Sequence, residues 1–277
     1  MASVLLLDGP VGTELARRGV PTPLPLWSAS ATLGAPATLA EIHADYARAG
    51  ATIHTANTFR AAPYTLERHG LGDRWKDLVG AAVSLARASV PPDHLVAGSI
   101  APLEDCYRPD LSPDLATSRR EHGRLARELA RAGVDVLLCE TFPHPGEALA
   151  ALDAALETDK PVWLSLTLGP AGDLIDPDVV VDTLREAARR GAEAVLLNCS
   201  PVPAITALMS RLVDLDVDVG AYGNVGEPDP AMGWRNEGDA LPRPYADAAR
   251  RWRDLGATIV GGCCGTTPAH IEALAKL

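Results

Sequence analysis

The chain has 277 residues, 47% hydrophobic and 22% charged, enough for a sizeable globular core and a length that suits one α/β barrel. Its formal net charge of -11 argues against nucleic acid or an anionic membrane surface as a partner, because neither gains from an acidic protein. No apolar run nears membrane-helix length, and five cysteines are too few for a disulfide scaffold, which points to a reducing cytoplasm with free or metal-bound thiols.

The first apolar run, residues 4–7, stops at Asp8, too soon for the core of a signal peptide. The turn Asp8-Gly9-Pro10-Val11-Gly12-Thr13 follows, a poor match to the G-x-G-x-x-G turn of a doubly wound open sheet, and a short helix is expected over 13–18. Strands are predicted at 4–8, 52–57, 95–100, 136–141, 162–167, 194–199, 217–223 and 258–263. They are short and strongly apolar, as parallel strands covered on both faces should be. Between them one unit recurs, a helix edged with basic residues that ends in glycine just before the next strand. It closes at Gly50, Gly133, Gly191 and Gly256. Helix starts are expected at a capping box, Thr38 to Glu41, and at Ser112-Pro113, Asp176-Pro177 and Thr267-Pro268. Eight βα units in this length predict a single-domain (β/α)8 TIM barrel over residues 1–277. Two connections, 9–36 and 224–244, are long enough to be functional, and both follow strand C-termini, where barrel enzymes build their sites.

Strand ends converge at a barrel mouth. Here they supply Asp8, Asn57, Ser99, Glu140, Thr167, Cys199, Asn224 and the pair Cys263/Cys264. The pair lies between glycines, which permit the bend that two adjacent side chains need to share one ligand. Cys199, at the end of the sixth strand, is the third thiolate. Three thiolates and one open position describe a catalytic Zn2+ site, and the alternative is three small buried hydrophobes. Cys139 is expected to point away from the mouth as core packing and Cys106 to be incidental. His54 is expected to be packed or hydrogen-bonded within its strand, and no His/Asp pair with a serine suggests a hydrolytic triad.

Asp8 and Glu140 suit an anchor for a substrate ammonium group. Backbone N–H groups of Gly9, Val11, Gly12 and Thr13 at a helix start suit a carboxylate. Asn57 is a further candidate substrate contact. Together they would hold a zwitterionic amino acid. Two other readings stay open, a zinc hydrolase with Glu140 as its base, and a non-catalytic thiol or zinc sensor.

The stretches Asp8 to Leu15, Asn57-Thr58-Phe59, Glu140-Thr141-Phe142-Pro143, Asn198-Cys199 and Gly261-Gly262-Cys263-Cys264-Gly265-Thr266-Thr267-Pro268 resemble the homocysteine S-methyltransferase family across nearly the whole chain. The resemblance implies a zinc-dependent barrel that methylates homocysteine to methionine. It implies Cys199, Cys263 and Cys264 as zinc ligands, with Asp8 and Glu140 recognising the amino acid. Pro10 departs from the family pattern, where Gly or Ala is usual. The chemistry is coherent, because ionising a free thiol at pH 7 costs about 2 kcal/mol and a bound zinc ion removes that cost. Stretches 25–29 and 222–227 look most like the branch that uses a sulfonium donor, S-methylmethionine or S-adenosylmethionine. Betaine, or another thiol or selenol acceptor, is the alternative. Trp27, Tyr222, Asn224, Glu227 and Trp234 are the candidate donor contacts, the aromatics by cation–π attraction.

Overall fold

Each predicted apolar run contains a strand of one parallel sheet. The strands are β1 (Leu5–Leu6), β2 (Ile53–Ala56), β3 (Leu95–Ile100), β4 (Val136–Phe142), β5 (Val162–Thr167), β6 (Ala194–Pro201), β7 (Asp218–Asn224) and β8 (Ile259–Val260). The structure, a computed structural model, describes residues 4–24, 26–229, 233–235 and 241–277. Consecutive strands pair from β2 to β8, and β8 pairs with β1. A parallel bridge from Leu7 to Ile53 joins β1 to β2. Asp8 N donates to Ile53 O at 2.9 Å and Thr52 N to Leu6 O at 2.9 Å, so the sheet closes as the (β/α)8 barrel that the sequence predicts.

Side chains alternate across this sheet. Leu7, Ile53, Val136, Leu138, Trp163, Leu196 and Ile259 fill the barrel interior. Leu137, Leu164, Val195 and Leu197 face the helices in a second, larger core. Cys139 lies in that outer core, as expected.

The four glycines that close the repeated unit all have positive φ, from 88° at Gly133 to 112° at Gly191, the left-handed conformation that ends a helix. Asp176 caps Pro177–Arg190 through Asp178 N, and Thr267 forms a capping box with His270. Two predicted caps are displaced. Helix Pro36–Arg48 starts two residues before Thr38, because Pro36 takes a first-turn position. Asp114, not Ser112, caps Leu115–Ala132, accepting from Thr117 N at 2.8 Å.

The long connections carry structure of their own. The first holds helix Val11–Arg17, a 3-10 turn at Trp27–Ser30 and helix Ala31–Gly34. The second holds an antiparallel pair, Glu227–Asp229 with Gly233–Arg235. Residues 230–232 and 236–240 of that connection, and Pro25 of the 25–29 stretch, lie outside the described residues. No described helix is long and apolar enough to cross a membrane.

Candidate active site

Two of the barrel strands are irregular, both at the mouth. The β4–β5 register shifts between Cys139 and Phe142, and the β6–β7 register shifts between Asn198 and Pro201. Inside these bulges Thr141 has φ 64° and Cys199 φ 48°. Such a bulge bends the strand and re-aims a side chain, here Glu140 and Cys199. Left-handed backbone at a non-glycine residue costs on the order of 1–3 kcal/mol and persists only where neighbours over-determine it. They do so here. Asn198 Oδ1 accepts from Thr141 N at 3.0 Å and from Ser165 Oγ at 2.8 Å, and its Nδ2 donates to Thr141 Oγ1 at 2.7 Å. Thr167 Oγ1 donates to Cys199 O at 2.9 Å. Thr167 was expected on the polar ring; it is fully buried and braces Cys199 from behind.

The sulfurs of Cys199, Cys263 and Cys264 lie within 4.8 Å of one another, with Cys199 and Cys264 at 3.8 Å. Tetrahedral ligation with metal–sulfur bonds of about 2.3 Å places sulfurs roughly 3.8 Å apart, so the cluster can hold a metal ion. Its electrostatics ask for one. Hydrogen bonds from Cys263 and Cys264 drive the Cys199 thiol well below its ordinary range, while both partners are driven well above theirs as donors to Cys199. Without a cation only one of three such close sulfurs ionises readily. The turn behind the pair explains its flanking glycines. Gly265 has φ 81°, and a side chain there would strike Val225 O. A Cβ at Gly261 would come to 2.5 Å from Leu7 Cβ. Val225 N donates to Cys264 O at 3.0 Å and Gly265 N to Thr13 Oγ1 at 3.4 Å, holding the turn from both sides.

The cluster opens on a cavity of about 600 Å³ that also exposes Asp8, Gly9, Asn57, Ser99, Glu140 and Tyr222. Asp8 accepts from Thr55 N at 2.9 Å and Thr55 Oγ1 at 3.0 Å. Glu140 accepts from Ser99 Oγ at 2.6 Å and Tyr222 Oη at 3.1 Å. Burial dominates both acids and pushes Asp8 up to about 8 and Glu140 up to about 7. Two buried carboxylates with raised pKa values, neither in an ion pair among the described residues, form a receptor for positive charge. Asn57 Nδ2 donates to Ser28 O at 2.7 Å and Thr32 Oγ1 at 3.1 Å, tying down the loop that carries Trp27. Pro10 sits at the N-cap of Val11–Arg17 with φ -73°, which its ring favours, and its carbonyl accepts from Tyr46 Oη at 3.3 Å.

Not every sequence candidate reaches the cavity. Thr13 lies behind the Gly265 turn and is absent from the cavity wall. Of the donor candidates, Trp27 and Tyr222 line it, but the Tyr222 hydroxyl is taken by Glu140. Trp27 meets Phe59 edge-on at 5.7 Å, and this pair forms the aromatic wall. Asn224 is placed instead by its amide, 3.7 Å from Cys199 Sγ. Glu227 is exposed on the short antiparallel pair, and Trp234 turns its indole N–H to Tyr107 at 3.0 Å; neither lines the cavity. Cys106, expected to be incidental, lines the cavity, and burial and then charge at Cys199 push its thiol up to about 12. Phe59, Arg60 and Tyr107 also line the cavity, and none of them is among the sequence candidates for a substrate or donor contact. Phe59 was within reach, because it follows the strand-end residue Asn57 by two positions.

The chain belongs to the homocysteine S-methyltransferase family, whose profile matches residues 5–277, and it is therefore a methyltransferase by family. It is 35% identical to a homocysteine S-methyltransferase of Escherichia coli (strain K12) over 293 residues, covering 98% of this chain and 94% of that protein. A selenocysteine methyltransferase of Astragalus bisulcatus is 27% identical, covering 98% of this chain and 91% of that one. The metallated form of the Escherichia coli homocysteine methyltransferase MmuM matches with a TM-score of 0.82 at 30% identity, over 99% of this chain and 96% of that structure.

Proposed function

We propose that the chain transfers a methyl group from a sulfonium donor to the sulfur of L-homocysteine, giving methionine, with Zn2+ held by Cys199, Cys263 and Cys264. One observation carries the reading. Three cysteine sulfurs from the ends of β6 and β8 converge within 4.8 Å on a cavity that two buried carboxylates share. When bound, zinc supplies the positive charge that keeps a fourth sulfur a thiolate near neutral pH.

The protein's own groups do the rest. Asp8 and Glu140 take the substrate ammonium, which offsets the cost of holding them ionised in a buried site. Backbone N–H groups of Gly9, Val11 and Gly12, which line the cavity, are offered to the carboxylate, and Asn57 holds the loop that carries Trp27. The reacting sulfur is thereby fixed over the cysteines. Trp27 and Phe59 offer ring faces to a cationic sulfonium. The homocysteine sulfur forms the new S–CH3 bond as the donor's C–S bond breaks. The donor leaves as a neutral thioether, and the thiol proton goes to solvent.

The relatives named for homocysteine S-methyltransfer support the acceptor, and the cationic-ligand chemistry of the cavity supports the donor. A donor panel tests the reading. Zinc-loaded protein and L-homocysteine are incubated with S-methylmethionine, S-adenosylmethionine, betaine or methylfolate with cobalamin, and methionine is measured. A sulfonium donor is expected to work and a chelator to stop it. Transfer from betaine alone would overturn the donor assignment, and transfer to selenocysteine but not homocysteine would overturn the acceptor.

A further inference from the structure

The loop after β3 brings one hydroxyl to the metal cluster. Tyr107 Oη lies 3.1 Å from Cys199 Sγ. On its other side Trp234 Nε1 donates to the same oxygen at 3.0 Å. An indole N–H is a donor only, so Tyr107 must accept there. A cysteine bound to a metal has no proton to give, so the hydroxyl proton points to sulfur. The loop is built to hold this position. Asp105 Oδ1 accepts from Tyr107 N at 2.8 Å, Arg60 Nη1 donates to Glu104 O at 2.8 Å, and Leu103 N donates to the buried Glu147 at 2.9 Å. Trp234 is itself buried at 6% exposure, although it sits on a short strand far along the chain.

We propose that Tyr107 is a positioning residue for the ligand Cys199, its hydroxyl proton aimed at the sulfur by the indole N–H of Trp234. Cys199 needs such support more than its partners do. It is the ligand in a bulge with left-handed backbone, and its other side-chain neighbour with a free donor, Asn224 Nδ2, stands at 3.7 Å. A hydrogen bond to a thiolate orients the sulfur lone pairs and draws electron density from it. The bond therefore sets how much charge Cys199 gives the metal, and hence how much remains for a fourth sulfur. Through Trp234 the same contact fastens the strand Gly233–Arg235 to the metal site, so that a segment outside the cavity wall has a hold on the chemistry inside it.

The inference rests on the metal reading of the cluster, and the test separates the two. Wild-type protein is loaded with Co2+, whose thiolate charge-transfer bands report ligand electron density, and Zn2+ affinity is measured by competition with a chelator. Wild-type protein that binds neither metal would overturn the metal reading and this inference with it. Tyr107→Phe is expected to move the cobalt bands to lower energy and to weaken zinc binding on the order of 10-fold, the usual scale for loss of a partner behind a metal ligand. Trp234→Phe is expected to shift the bands the same way by less. A purely structural role would lower the melting temperature and leave bands and affinity unchanged. Wild-type bands and affinity in folded Tyr107→Phe would overturn the proposal. If that variant does not fold, wild-type bands and affinity in Trp234→Phe overturn it instead.

Discussion

At the mouth of the barrel, Asp8, Glu140 and three cysteines gather on a cavity; near the start of β2, His43 and His54 are buried just as deeply in a packed core. His54 stacks on His94 with ring planes 7° apart and Nε2 3.0 Å from its Nδ1. Neither ring nitrogen of His43 has a hydrogen-bond partner among the described residues. Burial lowers His43 to about 4 and, with charge at His43 adding, His54 to about 3, so both are neutral at pH 7. The two regions differ in direction rather than in burial. Around the cavity, strained backbone at Thr141 and Cys199 turns polar groups toward one volume, and the hydrogen bonds of Asn198 and Thr167 are spent holding them there. Neither His43 nor His54 lines the active-site cavity, and they serve as packing that happens to titrate. A buried ionisable group marks a site when its neighbours aim it, not merely because it is buried.

The largest expected effect breaks the first region. Cys199→Ser or Cys263→Ser is expected to take bound zinc from about one per chain to near zero and methyl transfer to background. Metal analysis and methionine formation check both, and a metal-free variant with full activity would remove the basis of the contrast.

Asp8→Asn should be smaller and more selective. Loss of a charge-assisted contact is expected to raise the KM for homocysteine on the order of 10- to 100-fold while zinc content stays put. The pH dependence of stability sharpens the comparison, because the two regions have opposite signs. Asp8 has a folded pKa of about 8, above its unfolded value. In the ligand-free protein its contribution is fully present at low pH and is lost as pH rises toward 8. Asp8→Asn should flatten the decline in melting temperature between about pH 4 and 8, and an unchanged slope would show that Asp8 is not the group responsible.

For the histidines the folded pKa lies below the unfolded value near 6.5. Their contribution is fully present above that value and is lost as pH falls toward 4. Between pH 7 and 5 each should cost about 2 kcal/mol of stability. His43→Leu should remove part of that acid loss, read by denaturant unfolding at several pH values, and leave the KM for homocysteine unchanged. A change in KM would mean that the two regions are coupled.

The framework was legible because its signals are local. A glycine after a basic helix end, then an apolar run, marks four of the eight barrel units without knowledge of their neighbours. The cysteine pair was legible once the sixth and eighth strands were placed, since barrel geometry alone brings their ends together. What sequence did not reveal depends on contacts between distant segments. Tyr107 reaches Cys199 from 92 positions away, out of a loop with no periodic pattern. The bulges that re-aim Glu140 and Cys199 leave no mark in hydrophobic alternation, because both strands are buried on both faces. Tyr222 and Trp234 read as aromatics free to meet a cation, yet each turns its polar tip to a partner that only the folded chain supplies.

Activation of homocysteine by the metal requires a fourth sulfur to join three. X-ray absorption at the zinc edge counts sulfur neighbours of the metal directly. Three sulfurs at about 2.3 Å are expected in the zinc-loaded protein, and four after L-homocysteine is added. A sulfur count that does not change on adding L-homocysteine would rule out thiolate activation at the metal.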